Sequence, residues 1–221
     1  KMVKVRMAAP VLQQNDEVAR ENRELFRKER LFVLNLMSSP GSGKTSILER
    51  TIAKLSGRLK LGVIEGDIYT TRDAERIEKF GIPVVQINTA GSCHLDARMV
   101  KPTLDDFDLG GLDLLIVENV GNLVCPAEFD LGEDARAAVL SITEGNDKPV
   151  KYPLVFRESS VVLINKIDLL PYTDCDIDLL EGDLKKINPE LELFRVSARL
   201  DQGFEPWIAW LEEQVNLKKV N

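Results

Sequence analysis

Leu31-Phe32-Val33-Leu34-Asn35-Leu36-Met37 runs into Ser38-Ser39-Pro40-Gly41-Ser42-Gly43-Lys44-Thr45, and that into Ser46-Ile47-Leu48-Glu49-Arg50-Thr51-Ile52-Ala53-Lys54-Leu55. The apolar run reads as a buried parallel strand. The last stretch reads as a helix, ended by Gly57. A strand, a glycine-bearing loop and a helix in that order are what a phosphate-binding loop needs. Gly41 and Gly43 let backbone N–H groups turn inward on phosphate oxygens, and the helix N-terminus adds partial positive charge. Lys44 is placed to reach the β- and γ-phosphates, and Thr45 to give its hydroxyl to Mg²⁺. The expected nucleotide contacts here are Pro40, Gly41, Ser42, Gly43, Lys44, Thr45 and Ser46. The usual motif opens with Gly; this chain has Ser38.

A second segment, Asn165-Lys166-Ile167-Asp168, ends another apolar strand, Val161–Ile164. In GTPases of this pattern the Asp carboxylate accepts hydrogen bonds from guanine N1–H and the 2-amino group. Adenine offers neither and would leave a buried carboxylate unpaired, a large penalty. Lys166 would lay its stem along the base, and Asn165 would tie loops together. Ser197-Ala198, after the short strand Leu191–Val196, resembles the loop that offers a backbone N–H to guanine O6. Alone, Asn-Lys-Ile-Asp is a weak signal; after a phosphate loop in the right order it is strong. Together the two segments read as a GTPase binding GTP or GDP.

The 221 residues suffice for a substantial core, and no Pro/Gly/Ser linker divides them. An N-terminal helical segment over 1–30 and a P-loop GTPase domain over 31–221 are expected. From residue 31 onward, strand candidates (31–37, 60–65, 83–87, 113–118, 137–143, 160–165, 191–196) alternate with helix candidates (44–56, 71–80, 94–101, 152–158, 176–187, 203–216). That alternation predicts the α/β class: a mostly parallel sheet with helices on both faces and ligand at the strands' C-terminal ends. Residues 11–30 read as a helix outside this core, with apolar positions Val11, Leu12, Val18, Leu25 and Phe26. A net charge of −7 argues against nucleic acid or an anionic membrane as partner. No run of 18 apolar residues and no signal peptide occur. Three cysteines make no disulfide framework, so a reducing, cytoplasmic setting is expected. The chain opens on Lys1 rather than Met, as one lacking its native first residues would.

Two further loops fall at the same sheet edge. Glu65-Gly66-Asp67 leads to Thr70, Thr71 and Asp73; Asp67 is a candidate for holding Mg²⁺ or its waters, and equally a turn or helix-cap residue. After strand 113–118 come Glu118-Asn119-Val120-Gly121, where Glu118 can bind Mg²⁺ through water and Gly121 can offer its N–H to the γ-phosphate. Signalling GTPases have Asp-x-x-Gly here, then Gln to orient the attacking water. This chain has Glu118, and Asn122 after Gly121, so slow intrinsic hydrolysis is expected.

The lone histidine, His94, follows Cys93 directly, and Cys125 lies four residues past Gly121. Thiolates and imidazole suit Zn²⁺ or Ni²⁺. By spacing alone they could equally be free cysteines and a cap. Topology favours a site, because both loops converge on the nucleotide edge. Three ligands are one short of a closed zinc site; water, a backbone nitrogen or a second subunit could supply the fourth. Cys175, in Tyr172-Thr173-Asp174-Cys175-Asp176, has no partner nearby in sequence and is not expected to bind. Metal affinity should fall below about pH 6.5, where an ordinary histidine takes up a proton.

Ser38–Thr45, Cys93-His94-Leu95-Asp96-Ala97 and Glu118-Asn119-Val120-Gly121-Asn122-Leu123-Val124-Cys125-Pro126 resemble the hydrogenase-maturation GTPases of the HypB family, over roughly residues 15–215. The resemblance implies a GTPase that helps insert nickel into [NiFe]-hydrogenase, works with other maturation proteins and the hydrogenase large subunit, and is a homodimer when GTP-bound. It implies metal ligands at the dimer interface, mapping onto Cys93, His94 and Cys125. The Cys-rich N-terminal nickel site and the His-rich tract of some members do not occur in these residues, so delivery from another carrier is expected rather than storage. A urease or cobalamin GTPase, an ATP-using kinase and a structural zinc protein are the competing readings. Asn165–Asp168 argues against the kinase, and intact Lys44 and Thr45 against the last.

Replacing Asp168 by Asn turns one acceptor into a donor. Xanthine carries a carbonyl where guanine has its 2-amino group, so Asp168→Asn should move preference from GTP toward xanthosine triphosphate. Unchanged GTP affinity in a competition assay would remove Asp168 from the base site.

Overall fold

The computed structural model describes residues 11–67 and 72–220. Thr70, Thr71 and the first ten positions of the expected N-terminal segment lie outside the described residues. In chain order the elements are α1 (Val11–Lys28), β1 (Phe32–Ser38), α2 (Lys44–Leu55), β2 (Leu61–Asp67), α3 (Arg72–Glu78), β3 (Val84–Asn88) and α4 (Ala97–Val100). Then follow β4 (Leu114–Glu118), α5 (Cys125–Glu128), β5 (Ala135–Ser141), α6 (Lys148–Lys151), α7 (Pro153–Arg157), β6 (Val161–Asn165), α8 (Ile177–Ile187), β7 (Glu192–Arg195) and α9 (Glu205–Val220). Among the described residues seven strands form one sheet in the order β3-β2-β4-β1-β5-β6-β7, every pairing parallel. This is the expected α/β P-loop architecture. None of the described helices is long and apolar enough to cross a membrane.

The pleat sorts the core. Phe32, Leu34 and Leu36 point to one face and pack with Ile47, Leu48 and Ile52 of α2 and Trp207, Ile208 and Leu211 of α9. Val33 and Met37 point to the other, where two separate clusters form. One contains Phe26 of α1 and Val100 of α4; the other contains Val155 and Phe156 of α7 and Leu180 and Leu184 of α8. Asn35 lies between Val33 and Met37 on that face, fully buried, and a polar group there divides the two clusters.

Several boundaries differ from the sequence reading, each for a local reason. The helix expected over 152–158 is present as α7 but starts at Pro153, because the proline holds Tyr152 before it out of the helical region (φ −126°, ψ 57°), and the short α6 ahead of it was not expected. The helix expected from 94 starts at Ala97, where Asp96 caps it by accepting from the Met99 N–H, and leaves His94 in a loop. β5 ends at Ser141 rather than 143, since Ser141 and Glu144 form a capping box that turns the chain. Helix α1 buries Asn15, Ala19, Asn22 and Phe26, while Val11 and Leu12 are exposed, so its buried stripe is half amide rather than the apolar set expected.

One glycine secures the loop after β7. Ser197 and Gln202 pair by two backbone hydrogen bonds, and Gly203 follows at φ +77° with its Cα against the Arg195 carbonyl. A Cβ there would lie 2.1 Å from that oxygen. Gly203→Ala should therefore destabilise the protein by about 2–3 kcal/mol and weaken guanine nucleotide binding through the Ser197–Ala198 loop, measured by denaturant unfolding and nucleotide titration.

Candidate functional site

The phosphate loop is shaped by two left-handed glycines, Gly41 at φ +75° and Gly43 at φ +95°. Gly43 is also a contact requirement, because a Cβ there would stand 2.3 Å from the Asn165 amide nitrogen. Asn165 donates to the Ser42 carbonyl at 2.9 Å and accepts from the Ala198 N–H at 3.1 Å. It thus joins the phosphate loop to the loop after β7, as its sequence context suggested. Lys166, itself left-handed, donates to the Gly41 carbonyl at 2.7 Å. Asp168 accepts from the Ser197 hydroxyl at 2.7 Å, which orients the carboxylate. A cavity of about 790 Å³ lined by Gly43, Ser46, Asn165, Lys166, Asp168 and Ala198 opens between these loops. The Ala198 N–H, expected to reach guanine O6, donates to Asn165 here.

A second cavity, about 340 Å³, runs along the phosphate loop and includes Pro40, Gly41, Lys44, Thr45, Ser46 and Gly121. Beneath it Lys44 Nζ and Thr45 Oγ1 converge on one oxygen of Glu118, at 2.6 and 2.7 Å. The other oxygen, Oε2, is buried with no hydrogen-bond partner. A carboxylate with a free buried oxygen beside a threonine hydroxyl is a donor set that fits Mg²⁺. Glu65 lies opposite Glu118 in the parallel register of β2 and β4, 2% exposed. Burial, and then the neighbouring Glu118 charge, push its carboxyl up to about 10. Asp67 ends the same strand two residues on, on the same face of the pleat. The sequence reading missed Glu65; its signal was a carboxylate inside an otherwise apolar strand.

Gly121 rests against the phosphate loop. A Cβ on it would lie 3.3 Å from Pro40 Cα. Asn122 accepts from the Val124 N–H at 2.8 Å, so it shapes the turn into α5. Cys125 opens α5, and its Sγ is 3.0 Å from Cys93 Sγ. Cys93 Sγ stands 3.8 Å from His94 Nδ1, and one ligand atom from each of the three residues lies within 4.8 Å of the others. All three are half-buried, and the convergence of two sulfurs and an imidazole nitrogen fits a soft divalent ion. Cys175, like Ile177 and Leu170, packs instead against the core cluster formed with α7 and α8.

The two halves of the site share a buried polar chain. Asn119, next to Glu118, accepts from the Leu95 N–H at 2.9 Å and donates to Asn35 at 3.2 Å. Asn35 donates to Glu133 at 3.2 Å, and Glu133 in turn accepts from Arg136 and from the Leu131 N–H, both at 2.6 Å. Gly66 leaves room for Leu95, since a Cβ there would be 2.7 Å from the leucine side chain. Phe129 stacks on the His94 ring with centroids 4.0 Å apart.

Burial pulls His94 below the ordinary histidine value, while the hydrogen bond with Cys93 and burial raise the Cys125 thiol. Protons therefore compete for Cys125 through the neutral range. Metal affinity should fall as pH drops and climb across the neutral range, as thiolate ligands require.

A family model, the CobW/HypB/UreG nucleotide-binding domain, matches residues 32–195. A hydrogenase maturation factor HypB from Azotobacter vinelandii is 53% identical over 213 residues, covering 95% of this chain and 69% of that protein. The crystal structure of hydrogenase maturation factor HypB from Archaeoglobus fulgidus superposes with a TM-score of 0.87 at 40% identity, covering 93% of this chain and 100% of its own. That of HypB from Helicobacter pylori in complex with nickel gives 0.86 at 39% identity, covering 92% and 95%.

The Glu65 carboxyl gives a pH signature. Its folded pKa lies above the unfolded value of 4.5, so proton binding favours the folded state. That contribution is full below 4.5 and is lost as pH rises toward about 10. In metal- and nucleotide-free protein Glu65→Gln should flatten the decline of Tm between about pH 5 and pH 9, checked by thermal unfolding across that range. An unchanged slope would show that Glu65 is ionised in the fold.

Proposed function

The chain belongs to the CobW/HypB/UreG family and within it to the HypB hydrogenase maturation factors, and from that footing we propose that it is a GTP-hydrolysing nickel metallochaperone. Its metal affinity depends on the nucleotide it holds. The observation that carries this reading is the spacing of Gly121, which touches Pro40 of the phosphate loop, and Cys125, which touches Cys93. One short turn links a γ-phosphate contact to a metal ligand.

Each residue has a role in that scheme. The backbone from Pro40 to Thr45, with Ser46, holds the phosphates, and Asp168 reads guanine with Lys166 along the base and Asn165, Ser197 and Ala198 fixing the loop. Thr45, Glu118 and Asp67 would hold Mg²⁺, which would supply positive charge against that developing on the phosphates. Lys44 exchanges its contact with Glu118 for the β- and γ-phosphates. The Gly121 N–H follows the γ-phosphate and carries residues 122–126 with it. Cys125 then moves relative to Cys93 and His94, or to the matching residues of a second subunit in a GTP-bound homodimer. Hydrolysis releases the turn and remakes the coordination, so nickel (or zinc, bound by the same donors) is loaded or discharged. The acceptor is the hydrogenase large subunit, reached with other maturation proteins. With no Gln after Gly121 to orient water, turnover is slow, as suits a switch.

The deciding experiment is titration of Ni²⁺ and Zn²⁺ in the apo, GDP and non-hydrolysable GTP-analogue states while following dimerisation. Affinities should differ by roughly 5- to 150-fold between nucleotide states, and bound metal must change nucleotide affinity by the same factor. Gly121→Ala should shrink both effects without removing a ligand. Equal metal affinity and equal dimerisation in all three states would reject the switch even with both sites intact. Tighter binding of ATP than GTP would reject the guanine reading.

A further inference from the structure

Helix α1 takes no part in the nucleotide cavities, yet its buried stripe is unusual. Asn15 and Asn22 are 0% and 1% exposed, two helical turns apart with Ala19 between them. Burying a primary amide is costly unless its polar atoms are bonded, and a helix that merely covered a sheet would bury leucine there. These amides are bonded, and to particular places. Asn15 accepts from the Ala97 N–H at 2.8 Å and donates to the Asp130 carbonyl at 2.8 Å. Asn22 donates to the Ala97 carbonyl at 3.3 Å and to the Leu131 carbonyl at 3.0 Å. Each amide therefore spans the same two segments. One lies three residues after His94; the other begins five residues after Cys125.

The second segment has a direct line to the imidazole. Arg23 of α1 holds the Asp130 carboxylate with two contacts of 2.7 Å. Phe129, the residue before it, stacks on His94. Gly132, at φ +90°, lets the helix approach, for a Cβ there would be 2.6 Å from the Ala19 carbonyl.

We propose that α1 is the outer support of the metal centre, with Asn15 and Asn22 as positioning residues that set the distance between its two ligand loops. This rests on the reading of Cys93, His94 and Cys125 as the ligands. It adds a route by which whatever grips or shifts α1 retunes the metal site without touching the nucleotide.

The test uses the full chain with Asn15→Leu, Asn22→Leu and both together, each close to asparagine in size but without the amide. GDP affinity, Ni²⁺ affinity and the thiolate-to-nickel charge-transfer band are measured. Groups bonded directly to metal ligands typically contribute roughly 10- to 100-fold in affinity, and the double variant, one step further out, should lose about tenfold. Its band should shift while GDP affinity, measured without metal, stays at the parent value. Asn15→Asp keeps the acceptor for the Ala97 N–H and removes the donor to Asp130, and Phe129→Leu removes only the stacked ring. Both should shift the band even if the leucine variants do not fold. Parent nickel affinity and an unmoved band in the folded variants would overturn the proposal. Cys93→Ser and Cys125→Ser are titrated alongside. If these abolish nickel binding while the α1 and Phe129 variants do nothing, the support role alone is wrong. If the serine variants also bind normally, the ligand set is wrong and the support role falls with it.

Discussion

The carboxylate of Glu118 sits where three demands meet. Its backbone closes β4 beside β1 and β2, and one of its oxygens receives both Lys44 and Thr45. The residue that follows turns to the opposite face of the sheet and holds the Leu95 N–H through Asn119. A strand end is rigid because its neighbours fix it on both sides, and here it presents one side chain to each candidate site. A hydrogen bond from the Leu95 N–H to Asn119 links the end of β4 to the loop carrying His94. The phosphate loop and the loop carrying the cysteine–histidine pair thus share one strand end.

The polar chain from Asn119 through Asn35 to Glu133 has a cost in the core. It splits the apolar packing on the second face into two clusters and buries a carboxyl whose ionisation desolvation opposes. Arg136 and the Leu131 N–H offset that burial by bonding Glu133 on both oxygens. A fully satisfied network of this kind fixes geometry more narrowly than aliphatic packing would, because each member has directional partners. It reaches from β1 to the loop beyond Cys125, the same loop that α1 holds from outside.

Much of this was legible in the sequence because the local chemistry has few other uses. Glycines at 41 and 43 beside Lys44 and Thr45 leave little choice of fold, and the order of motifs gave the parallel sheet. The convergence of Cys93, His94 and Cys125 followed from two loops leaving the same sheet edge. What stayed hidden were residues whose meaning depends on a partner far along the chain. Glu65 is unremarked until register sets it against Glu118. Asn15 and Asn22 look like polar positions on an exposed helix, and only the packing of α1 turns them inward. The short α6 over Lys148–Lys151 was also missed, since one turn of helix is too brief to show a period.

The strand order also bears on how the chain reaches its native state. β1 forms early in synthesis, but Phe32 pairs with Leu114 and Leu34 with Ala135, so both neighbours of the central strand arrive long after it. Non-local parallel pairing of this sort slows folding, because loop-closure entropy is spent before contacts reward it. During that interval the apolar run Phe32–Met37 has only local partners to hide against, among them Phe26 and the segment that becomes α2. On the ribosome the phosphate loop is therefore made well before the strands that give it shape, and until they arrive β1 is apolar surface without its neighbours.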